Sequence, residues 1–162
     1  MSTNAPTMPA VGTQAPAFSG TTQDGSTLKL ADFAGERVVL YFYPKDDTPG
    51  CTKQACNLRD HWSELQDAGF SVIGISPDSV ASHGTFAGKY DLPFPLVADE
   101  DHSISTLYGT WGEKNFYGKK IVGMKRTTFL INEQGEIVHV FKRPKTAEHT
   151  QEILKKYASL EG

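Results

Sequence analysis

Two apolar runs constrain this fold more than anything else in the chain: RVVLYFYP at 37–44 and FSVIGISP at 70–77. Each is nearly continuous in β-branched, aliphatic and aromatic residues, the pattern of a strand covered on both faces. Such strands need helices packed against them, and the intervening sequence supplies one. From Pro49 to about Ala68, apolar or semi-apolar residues fall at 51, 55, 58, 62 and 65, which is a helical period. Gly69 then stands where helices commonly end.

The remaining segments extend the same alternation. FSGTTQDGSTLKL reads as a hairpin turning at Asp24-Gly25. SVASHGTFAGKYD is a second helix, weakened by Gly84 and Gly88. LPFPLVAD is a short extended piece between prolines, and DHSISTLYG another short helix. WGEKNFYGKKIVGMK is expected to be a long loop punctuated by glycine. RTTFLIN and EIVHVFK flank Glu133-Gln134-Gly135 as a hairpin, and an amphipathic helix over about 146–160 closes the chain. Buried strands alternating with helices, followed by a hairpin and a helix, predict the α/β class. The expected architecture is a thioredoxin-like fold, a mixed central sheet flanked by helices, with an N-terminal hairpin extension. Residues 1–11 are expected as a flexible arm and 12–162 as a single domain.

A length of 162 residues suffices for one core without covalent staples. Sixteen basic and nineteen acidic residues leave a net charge of −3, which gives no reason to expect nucleic acid or an anionic membrane as partner. No apolar run approaches a membrane span, and MSTNAPTMPAVG lacks the basic and apolar regions of a signal peptide. Two cysteines do not make a secreted disulfide framework, so a cytoplasmic, reducing compartment is expected. There a cysteine pair points to redox chemistry.

Both cysteines lie in YPKDDTPGCTKQAC, at the junction of the first buried strand and its helix, where open α/β sheets place their sites. Thr48 is a candidate helix N-cap, its hydroxyl accepting from a backbone N–H. Pro49 suits the first helical position. Cys51 falls in the first turn, where unpaired N–H groups and the helix dipole favour thiolate over thiol. Cys56 is five residues on, so on a regular helix the two Cα atoms stand ~8.7 Å apart. A disulfide needs roughly 4.4–6.8 Å. Either Cys56 is an unrelated helix residue, or the helix must unwind before the two can bond. Ionisation alone adds at most ~30-fold to a thiol that is already ~3% thiolate at pH 7. Enzymatic accelerations begin near ~10⁶, so a group stabilising the charge that develops during reaction is needed, and a guanidinium suits the task. Arg126, leading RTTFLIN directly after a Gly-rich stretch, can reach a sheet end. Arg59, two turns along the helix from Cys51, reads as a surface or packing group. The five histidines are read as solvated or packing residues.

These blocks together resemble the peroxiredoxins. The family signature P-x-x-x-T-x-x-C is met by Pro44, Thr48 and Cys51, and the cysteine five residues later resembles the Q-type, or bacterioferritin comigratory, subfamily. VIGISPDS, LPFPLVADED, YGTWGEKNFYGK, RTTFLIN and EIVHVF follow in the same order, from about Gly12 onward. The resemblance implies reduction of hydrogen peroxide and organic hydroperoxides, with Cys51 as peroxidatic and Cys56 as resolving cysteine. It implies that Pro44 shields the pocket, that Thr48 contacts thiolate and peroxide, and that Arg126 is the active-site arginine. It further implies an intramolecular disulfide after local unfolding, thioredoxin or a similar dithiol as reductant, a monomer, and no metal, flavin or haem. Family members often carry Glu where this chain has Gln54, so no carboxylate role is expected there. The stretch from Gly109 to Gly123 is a candidate wall that moves during unfolding. Two other readings share these residues: a thiol–disulfide oxidoreductase, whose usual C-x-x-C is absent, and a redox-sensing binding protein switched by its disulfide.

Overall fold

The computed structural model describes residues 8–161. Its strands are β1 (Ser19–Thr22), β2 (Thr27–Lys29), β3 (Arg37–Phe42), β4 (Phe70–Ser76), β5 (Leu96–Ala98), β6 (Trp111–Phe116), β7 (Lys119–Met124), β8 (Thr127–Ile131) and β9 (Ile137–Phe141). Its helices are α1 (Pro49–Asp60), α2 (Trp62–Asp67), α3 (Val80–Tyr90), α4 (Ser103–Leu107) and α5 (His149–Glu161). Seven strands form one mixed sheet in the order β2-β1-β5-β4-β3-β8-β9. β3, β4 and β5 run parallel, and both flanks are antiparallel. The α/β, thioredoxin-like architecture is therefore present, with the β1–β2 hairpin added at one edge.

The two-residue period of a strand builds two cores at once. Val39, Tyr41 and Tyr43 point to one face and pack with Cys51, Ala55, Leu58, Phe86 and Ile153 from α1, α3 and α5. Val38, Leu40 and Phe42 point to the other and pack with Ile104, Tyr108, Met124 and Phe129. Side chains of the neighbouring strands close over Gly74 of β4, where an added Cβ would lie 2.9 Å from both Leu96 of β5 and Tyr41 of β3. Residues 12–15 run along the β9 edge, with Gly12 N donating to Ile137 O at 2.7 Å. Of the expected N-terminal arm, residues 1–7 lie outside the described residues; residues 8–11 rest beside His139 and Lys142. No described helix is long and apolar enough to cross a membrane.

Two expectations are corrected. The helix from Pro49 does not run unbroken to Ala68: it breaks at His61, whose backbone leaves the helical region (φ −111, ψ 22). The ring of His61 is bonded to Glu64 and Gln151 there, and α2 follows at once before Gly69 (φ +83) turns the chain into β4. The stretch 111–125 is not a loop but the antiparallel pair β6–β7. Its two-residue turn, Tyr117-Gly118, has positive φ at both positions, the twist that suits a hairpin. A tyrosine in that conformation is uncommon, which is why the turn does not advertise itself in sequence.

Candidate active site

The end of β3, the loop after it and the first turn of α1 position the reacting sulfur. Thr48 has the extended backbone of an N-cap (φ −96, ψ 157), Pro49 occupies the first turn, and Thr52 N donates to Thr48 O at 2.8 Å. Cys51 thus sits among the early amides that no helical carbonyl can satisfy. The expected side-chain cap is corrected: the Thr48 hydroxyl caps nothing and donates to Lys45 O at 2.9 Å. With its proton committed to that carbonyl, its lone pairs are left to accept from a ligand. Pro44 follows β3 and is half-buried.

Cys51 is 1% exposed and unbonded. β8 pairs with β3 so that Thr127 faces Phe42, which brings the preceding Arg126 level with the strand end. Its Nη2 donates to Cys51 Sγ at 3.2 Å, and its Nη1 to Gln54 Oε1 at 2.8 Å. One planar fork therefore spans residues three apart on α1. Gly50 makes room for it, since a Cβ there would stand 3.1 Å from Nη2. Gln54 is fully buried and its Nε2 has no partner; the buried Tyr41 hydroxyl is likewise unpartnered. Burial first, then the charges of Cys51 and Asp46, push the Tyr41 phenol well above its ordinary range, so it stands as a neutral donor.

Cys56 lies further along the same helix, half-buried and unbonded. With α1 continuous from Pro49 to Asp60, the two sulfurs are not brought together. Burial pushes the Cys56 thiol up, only partly opposed by the nearby Arg59. Arg59 itself donates to Tyr90 O at 2.7 Å and pairs with Asp60, the structural part expected of it.

A second network, which sequence reasoning missed, holds the loop rigid. Asp46 accepts from Tyr43 Oη at 2.6 Å and Ser82 Oγ at 2.7 Å, and faces His83 Nδ1 at 2.8 Å. His83 Nε2 faces Val97 O at 3.0 Å. Asp78 accepts from Asp46 N at 2.8 Å and Ser76 Oγ at 2.6 Å. Asp46, Asp78 and His83 offer ligand atoms within 4.8 Å of one another, yet these atoms already serve protein partners. Next to them Asp47, at φ +57, binds Lys89 and the Tyr90 hydroxyl, both at 2.8 Å. The signal available in sequence was a pair of aspartates inside a proline-bounded turn.

The arrangement can hold a nucleophilic sulfur against a fixed cation, with hydrogen-bond acceptors and donors around a small polar ligand. The profile of the AhpC/TSA family matches residues 11–140. Peroxiredoxin Bcp of Escherichia coli K12 is 50% identical over 143 residues, covering 88% of this chain and 92% of that protein. Among solved structures, a cysteine-to-serine variant of Xylella fastidiosa PrxQ superposes with a TM-score of 0.88 at 29% identity, covering 96% of this chain and 99% of that one. The Xanthomonas campestris bacterioferritin comigratory protein, described through its alkyl peroxide reduction activity, superposes with a TM-score of 0.83 at 34% identity, covering 90% and 92%.

Proposed function

The chain belongs to the AhpC/TSA family, among its Q-type bacterioferritin comigratory peroxiredoxins, and from that premise we propose how its residues divide the work. It is a thiol peroxidase. Cys51 attacks the terminal oxygen of hydrogen peroxide or an alkyl hydroperoxide as thiolate. The O–O bond breaks, the electron pair leaves on the distal oxygen, which takes a proton and departs as water or alcohol, and Cys51 becomes a sulfenic acid. Thr48 accepts from the hydroperoxide O–H, because its own proton is engaged by Lys45 O. Arg126 opposes the charge that moves from sulfur to the leaving oxygen. Pro44 covers the pocket.

The first turns of α1 then unwind, and the Cys56 thiol displaces hydroxide from the Cys51 sulfenic acid. A disulfide forms, and the thiol proton leaves with hydroxide as water. A dithiol reductant, thioredoxin or one like it, returns two electrons and two protons. The protein works as a monomer in the reducing cytoplasm. The observation that carries the reading is the Arg126 Nη2 donor set 3.2 Å from a buried, unbonded sulfur.

The test is stoichiometric hydrogen peroxide mixed with reduced protein. Cys51 is lost within seconds; loss over many minutes, the pace of an ordinary exposed thiol, defeats the reading. Cys51→Ser abolishes peroxide reduction. Cys56→Ser keeps the first oxidation, forms no intramolecular disulfide and overoxidises with excess peroxide. Turnover coupled to thioredoxin separates a peroxidase from a disulfide-switched sensor.

A further inference from the structure

Beside the active site lies a cleft of about 520 Å³ whose wall carries five cationic side chains and no acidic one. Lys114 comes from β6, Lys125 and Arg126 from the residues leading β8, and Lys142 and Arg143 from those following β9. In a chain of net charge −3 this is a local inversion of sign. Four cations elsewhere are paired with carboxylates, Arg37 with Glu133, Arg59 with Asp60, Lys89 with Asp47 and Lys120 with Glu113. Among the described residues, none of the five in the cleft has a carboxylate within 4.0 Å.

Five like charges around one cleft repel one another. Lys114 is half-buried, its ammonium spent on Met124 O at 2.6 Å, and burial together with the neighbouring Arg126 pulls it below its ordinary value. An anion would relieve both effects. The cleft is also joined to the chemistry by one side chain, because Arg126 lines it and donates to Cys51 Sγ at 3.2 Å. A ligand anchored there has its other end within a guanidinium's span of the sulfur. The lysine stems supply apolar walls for a carbon spacer.

We propose that this cleft binds the anionic substituent of an organic hydroperoxide, a carboxylate above all, and orients its hydroperoxy group toward Cys51. The assignment rests on the peroxidase reading and deepens it from alkyl hydroperoxides in general to carboxylate-bearing ones.

The test compares two probes of nearly equal shape, the para-carboxylate of cumene hydroperoxide and its methyl ester, by stopped-flow oxidation of the reduced protein. At low ionic strength the acid reacts about tenfold faster per unit concentration than the ester, and 0.5 M salt brings the ratio toward one. In Lys142→Glu/Arg143→Glu the ratio within that variant falls below one. Equal rates for acid and ester in the wild-type protein overturn the proposal, as does a ratio that the double variant leaves unchanged. If the variant alters only the reaction with the dithiol reductant, the cleft is the reductant's docking surface and the proposal falls. Failure of hydrogen peroxide itself to oxidise Cys51 is a separate result: it removes the peroxidase reading, and this proposal with it.

Discussion

Arg126 spends its two terminal nitrogens on two different partners, Cys51 and Gln54, and neither is a carboxylate. With no carboxylate competing for it, its cation faces only the charge that moves from the sulfur across the O–O bond. Arg126→Ala is expected to slow sulfur oxidation by roughly 10²-fold, the usual loss for one such donor, measured as the second-order rate with hydrogen peroxide; an unchanged rate removes this account of leaving-group stabilisation. Gly50→Ala tests the same contact without removing it, because the new methyl group crowds Nη2. The variant should fold with near-normal thermal stability yet react more slowly with peroxide. Cys56 has a pH signature of its own. Burial raises its thiol above the ordinary 9.0 while the helix is closed. Unwinding removes that penalty, yet an exposed thiol is still mostly protonated at neutral pH, so its thiolate fraction climbs through the mildly alkaline range. Disulfide formation after a peroxide pulse should accelerate by about tenfold per unit from pH 7 to 8, and a flat profile would show that another step limits resolution. Thr48 and Cys51 could be singled out in sequence because they stand in a fixed-spacing motif, and Arg126 because it leads a buried strand after a Gly-rich stretch; the structure brings Arg126 to Cys51. Asp46 and His83 could not be singled out, since their contact spans 37 positions and neither residue type is unusual where it stands.

At the scale of elements, α1 is pinned unevenly. Its first turn is held through the Arg126 fork, whereas the turn after Cys56 is tied to α5. Asn57 accepts from Thr150 N at 2.7 Å and donates to Ala147 O at 3.0 Å and to Gln151 Oε1 at 3.2 Å. Thr150 is fully buried, so removing the Asn57 side chain strands its amide, a loss of about 1–3 kcal/mol. Asn57→Ala should lower the melting temperature of the reduced protein, leave that of the disulfide form nearly untouched, and speed disulfide formation. Equal destabilisation of both redox forms would show that this clamp survives the unwinding. The strands β3, β4 and β8 and the helices α1 and α3 could be read from hydrophobic period, since burial on both faces writes itself into composition. The break at His61 and the β6–β7 pair could not: one depends on the polar partners of a ring, the other on a tyrosine in a left-handed turn.

For the molecule as a whole, the sheet is coupled to its last helix by a buried imidazole. His149 is fully buried, with Nδ1 against Glu152 at 2.6 Å and Nε2 against the Thr128 hydroxyl at 2.9 Å. Burial lowers its pKa from the ordinary 6.5 despite the carboxylate beside it. The unfolded chain then binds the proton more readily than the folded one, so stability declines as pH falls through 6.5 and recovers above it. His139 is shifted the same way by burial and by Lys156, and adds to the trend. The melting temperature should drop on acidification from pH 7.5 to 5.5, and His149→Gln should flatten that slope; a slope unchanged by the substitution would assign it to other groups. The division of β3 between two cores has a wider consequence. Cys51, Ala55 and Leu58 belong wholly to one of them, while Val38, Leu40 and Phe42 anchor the other. Each proposed turnover therefore loosens one side of the sheet and leaves the opposite side as a keel. The seam along which the proposed unwinding opens stops at the plane of the sheet.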